Sequence, residues 1–100
     1  MEKGLPMPTP PLLVLPEDLT HRQANACLPM LVQAIPSQTG PAAQVEAGAL
    51  QSFDSSTLAV LLEFRRACLA EGKGLELLNL NPRLVELARL YGVDHLLAIH

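Results

Sequence analysis

Between Gln51 and Arg66 a cluster of small polar residues, Ser52, Asp54, Ser55, Ser56 and Thr57, opens directly into Leu58-Ala59-Val60-Leu61-Leu62-Glu63-Phe64-Arg65-Arg66. Asp, Ser and Thr side chains accept hydrogen bonds from the unpaired N–H groups of a first helical turn, so Asp54 or Ser55 is the expected N-cap. From there Leu58, Leu61, Leu62, Phe64, Ala67 and Cys68 recur at three- and four-residue steps, while Glu63, Arg65 and Arg66 carry the charge. That spacing predicts a helix with one broad buried face and a narrower wet one. The rest of the chain must supply something for the broad face to cover. The backbone N–H groups and dipole at the mouth of such a helix favour negative charge, whether a phosphate or a partner's carboxylate. Capping alone also accounts for a Ser-rich helix start.

A chain of 100 residues is long enough for one domain with its own core. With one Tyr, two Phe and no Trp, that core has to be built from Leu, Val and Ala. The net charge of −3 comes from scattered residues, and no run of Lys or Arg offers a stripe for nucleic acid, so nucleic-acid binding is not expected. Cys27 and Cys68 lie in two apolar helical stripes and form no CxxC pair, which fits buried free thiols in a reducing compartment. No stretch approaches the roughly 18 to 20 apolar residues of a membrane span, and the N-terminus lacks the pattern of a secretion signal. The expected location is cytoplasmic.

Residues 1–11 contain Pro6, Pro8, Pro10 and Pro11 and read as a loose arm preceding a domain over 12–100. Leu12-Leu13-Val14-Leu15 predicts a strand buried on both faces. Thr20 and Gln23 fit a capping box, which predicts a helix to about Ala34 with Ala24, Cys27, Leu28, Leu31, Val32 and Ile35 on its core side. Pro29 inside it predicts a kink, or else a later start. Pro36 to Pro41 reads as a loop, residues 42–47 as a second strand, and Leu75 to Leu80 as a third. Gly72 is placed for a left-handed cap on the central helix. Asn81-Pro82 signals the start of another helix. Its core stripe is Leu84, Leu87, Ala88 and Tyr91, with Arg83, Glu86 and Arg89 on the wet side and Gly92 at its end. Leu96 to Ile99 is then a short closing strand or hydrophobic tail. Strands alternating with helices predict an α/β layer structure over a mostly parallel sheet.

The signatures of catalysis are missing. Gly72-Lys73-Gly74 belongs to no GxxxxGK[ST] and no GxGxxG, so no nucleotide site or other cofactor is expected. His21, His95 and His100 have no ligand-like spacing, so no metal is expected either. Ser55 and Ser56 lie outside any GxSxG, with no histidine evident beside them in sequence. An enzyme is not expected.

The series strand, helix, strand, Phe53-Asp54-Ser55-Ser56 at a helix start, strand, Asn81-Pro82, helix and Leu90-Tyr91-Gly92-Val93 resembles the STAS domain, over about Leu12 to Ile99. STAS is the fold of bacterial anti-sigma factor antagonists and of sulfate-transporter tails. The resemblance implies an α/β fold with a mostly parallel, mixed sheet of about four strands and helices packed on it. Its expected first strand is hard to find among the N-terminal prolines. Within the family, Leu84 to Val93 is similar to the small cytoplasmic STAS subunit of the Mla system, an ABC transporter that maintains phospholipid asymmetry of the outer membrane. That likeness implies a partner-binding cluster at Asp54, Ser55, Ser56 and Thr57, with the Ser55 hydroxyl supporting contact with the transporter's ATPase subunit at the inner membrane. The antagonists imply an alternative, phosphorylation of Ser56 by an anti-sigma factor kinase. They usually carry Gly where this chain has Thr57, a position that lets another backbone approach closely.

Overall fold

A computed structural model describes residues 13–97. The N-terminal arm and the end of the tail, Ala98 to His100, lie outside the described residues. In chain order the elements are β1 (Leu13–Val14), β2 (Asp18–Leu19), α1 (His21–Gln33), a 3-10 turn (Ile35–Ser37), β3 (Ala42–Glu46), β4 (Ser52–Phe53), α2 (Ser55–Ala70), β5 (Gly74–Leu78) and α3 (Pro82–Leu90).

Strands β1, β3 and β5 form one parallel sheet in the order β1-β3-β5. The register sets Leu13 beside Val45, Ala43 beside Leu75 and Val45 beside Leu77. These residues share one face of the pleat, and Leu13, Ala43 and Val45 are buried there. The opposite face carries Val14, Gln44, Glu46 and Glu76. On it Gln44 Nε2 donates to Glu76 Oε1 at 2.7 Å and Asn79 Nδ2 to Glu46 Oε1 at 2.9 Å. The first strand is therefore not buried on both faces: Leu13 and Leu15 are inside, but Val14 is half exposed on an edge. The expected α/β architecture of helices on a mostly parallel sheet is present, with β2 and β4 forming a separate two-stranded parallel pair. Among the described residues the larger sheet has three strands, all parallel, and Leu96 and Leu97 lie in a turn rather than a closing strand.

Helix α2 packs on β5 and on α1, and their apolar sides meet Leu84 and Ala88 of α3 in a single core. Leu58, Leu61, Phe64 and Cys68 are buried as their spacing predicts, and Val60 joins them. Cys27 and Cys68 are buried, free thiols, and desolvation pushes both above the usual thiol range, with Lys73 opposing at Cys68. Helix α1 begins at the Thr20–Gln23 capping box and runs uninterrupted through Pro29. Both Pro29 and Asn25 are exposed, so the carbonyl released by the proline can be hydrated. The loop expected after Pro36 begins instead with the 3-10 turn that buries Ile35.

The helix ends follow local rules. Beyond α2, Gly72 takes φ 75° while Lys73 N–H donates to Cys68 O and Gly72 N–H to Leu69 O, a double closure of the last turn. Gly92 at φ 71° repeats the arrangement on α3, with Val93 N–H donating to Ala88 O. Tyr91, expected in the core stripe, is 57% exposed. It is the C-cap of α3, one step past the last residue whose direction the helix dictates. Asn79, at φ 57°, ends β5 before the expected Leu80.

Candidate functional site

Sequence reasoning did not anticipate the two-residue strands that build the site. Asp18–Leu19 and Ser52–Phe53 pair in parallel, Asp18 beside Ser52 and Leu19 beside Phe53. The Glu17 carbonyl ties them further, accepting from Gln51 N–H at 2.8 Å and Ser52 N–H at 3.0 Å. Each strand is followed at once by a cap and a helix, Thr20 then α1 and Asp54 then α2. Parallel pairing therefore sets two helix N-termini side by side at one corner of the domain.

Asp54 is the N-cap of α2, and its Oδ1 accepts from Ser56 N–H at 2.8 Å. Its Oδ2 faces α1, with His21 N–H at 3.3 Å and His21 Nδ1 at 3.4 Å. Desolvation at this corner works to raise the Asp54 carboxyl. The hydrogen bonds from Ser56 and His21 outweigh it and hold the group below the usual carboxylate range. One carboxylate thus neutralises the positive ends of two helices.

The three hydroxyls that follow Asp54 have separate fates. Ser55 is exposed and Ser56 half buried, whereas Thr57 is fully buried. Thr57 Oγ1 accepts from Asp54 N–H at 3.2 Å and donates to the Leu19 carbonyl. Thr57 was expected among the partner-binding residues. Its hydroxyl is instead spent inside, closing the capping box and fastening α2 to β2. The surface of the mouth consists of Asp54, Ser55 and Ser56.

Beside Ser55 runs a shallow groove of about 260 Å³, lined by Leu58, Ala59, Leu62, Tyr91 and Val93. Its walls are the first turns of α2 and the C-terminal end of α3. Leu90, 79% exposed, neighbours Tyr91 in the chain. The exposed hydroxyl therefore stands at the end of an apolar strip.

Two site residues were missed in the sequence. His21 is 33 positions from Asp54, and the signal was the matching order of Asp18-Leu19-Thr20-His21 and Ser52-Phe53-Asp54-Ser55, a short strand and then a cap. Tyr91 was assigned inward because it continues the stripe, although the glycine after it marks a helix end. Among the described residues no three His, Cys, Asp or Glu side chains gather as a metal set, and no helix is long and apolar enough to cross a membrane.

A family model described as "Mlab, STAS domain" matches residues 8–98. No curated protein matches the chain.

Proposed function

The chain belongs to the STAS domain family, and from that membership we propose that it is a non-enzymatic accessory subunit that binds and supports the ATPase of an ABC phospholipid transporter. In this reading it works in the cytoplasm, peripheral to the inner membrane, within a complex that maintains outer-membrane lipid asymmetry. The observation that carries the reading is Ser55, an exposed hydroxyl at a capped helix mouth with an apolar groove beside it. A hydroxyl there both donates and accepts a hydrogen bond, and the groove adds apolar area that a partner would cover. Asp54 contributes by holding the first turn of α2 in one geometry.

The alternative is an anti-sigma factor antagonist switched by phosphorylation of Ser56. It is the less supported of the two. Ser56 N–H is already bound to the Asp54 carboxylate at 2.8 Å, so a phosphate on Ser56 would carry its charge against that carboxylate. An unmodified Ser55 requires no such rearrangement. The two readings separate on protein tagged and recovered from its native host. Co-purification of an ABC ATPase with a chain of unmodified mass supports the transporter reading. Stoichiometric phosphate on Ser56 with a co-purifying kinase would overturn it.

A further inference from the structure

His21 and Asp54 meet only because the β2–β4 pairing brings two helix starts together. The meeting is asymmetric. Asp54 Oδ1 serves α2 through Ser56 N–H, while Oδ2 receives both the backbone N–H and the Nδ1 of His21. The carboxylate is therefore contacted from both helices, and Ser55 and Ser56 are the next two residues of the chain. A change in how Asp54 is held is a change in how the first turn of α2 presents its hydroxyls.

The imidazole is poorly placed for a structural role. The His21 side chain is 75% exposed and that of Asp54 38%, and exposed pairs of this kind add little to fold stability. The same corner is anchored independently by the buried Thr57 hydroxyl on Leu19 and by the Glu17 carbonyl. The backbone N–H of His21 would reach Oδ2 with any side chain at that position. What the ring adds is a second donor on the same oxygen, carried by α1 and directed at α2.

We infer that His21 is a positioning residue of this mouth, its imidazole fixing the Asp54 carboxylate and through it the presentation of Ser55 and Ser56. The inference rests on the reading of the mouth as the docking surface for an ATPase. Its test uses the full chain with His21→Ala, which keeps only the backbone donor, and His21→Asn, which restores a side-chain donor near the Nδ1 position. NMR of the free protein follows the Asp54 carboxyl titration and the Ser56 amide. Binding is measured to the ABC ATPase recovered with the wild type. His21→Ala is expected to raise the Asp54 midpoint, displace the Ser56 amide resonance and weaken ATPase binding about one-and-a-half- to fivefold. His21→Asn should recover the amide resonance, the affinity and part of the midpoint. A Ser56 amide and an Asp54 midpoint unmoved in His21→Ala would overturn the inference, as would an unchanged affinity or a defect that Asn does not repair. Should the NMR responses appear while the wild type binds no ATPase, the docking reading falls and the positioning of Asp54 by His21 stands.

Discussion

Replacing Thr57 by Val keeps nearly the same shape and removes one hydroxyl from a fully buried position. Two partners lose it at once: Asp54 N–H no longer has its acceptor, and the carbonyl of Leu19, itself fully buried, loses its donor. A buried polar group left unpaired costs about 1 to 3 kcal/mol. Because valine leaves no cavity, that loss is the main term. In a domain of 100 residues each kcal/mol lowers the melting temperature by roughly 4 to 8 °C. Thr57→Val should therefore melt several degrees or more below wild type in calorimetry. Ser55→Ala, two positions earlier and exposed, should stay within about 0.5 kcal/mol. A Thr57→Val protein that melts with the wild type would refute the assignment of Thr57 to the interior and return it to the partner surface.

Leu61 is fully buried, so Leu61→Ala should cost about 2 to 5 kcal/mol in urea unfolding, while Leu87→Ala, only partly buried, should cost less. Asp54 has a folded pKa below its unfolded one, so its stabilisation is present above the unfolded value and disappears as pH falls through the folded value. Asp54→Asn should accordingly flatten the acid limb of stability against pH in urea unfolding followed by circular dichroism, and an unchanged limb would contradict the cap. Gly92→Ala forces an L side chain to φ 71° in open space, and about 1 to 2 kcal/mol of destabilisation is expected in the same assay.

Most of this fold was legible where the physics is local. Thr20 with Gln23, Asn81 with Pro82, and the glycines at 72 and 92 mark helix ends through hydrogen bonds and dihedral preferences that span only a few residues. The apolar stripes of α1 and α2 were legible for the same reason. What was not legible depends on pairing across the chain. Strands of two residues, Asp18–Leu19 and Ser52–Phe53, are too short to show a period, yet their register creates the corner on which the site is built. Val14 sits in a continuous apolar run, but at the sheet edge nothing among the described residues buries its face. Asp54, Ser55 and Ser56 could be picked out as helix-mouth residues. That Thr57 turns inward and His21 joins them follows only from the tertiary contact between β2, α1 and α2.

In the proposed role the surface around Ser55 is the docking surface for an ABC ATPase. The most direct measurement is calorimetric titration of the purified ATPase with the wild-type chain and with Ser55→Tyr, whose ring would stand on an exposed first-turn position. A saturable complex is expected with the wild type, with a loss of at least about tenfold in affinity for Ser55→Tyr and melting temperatures that match. Equal affinities for the two chains, or no complex with the wild type, would contradict that role.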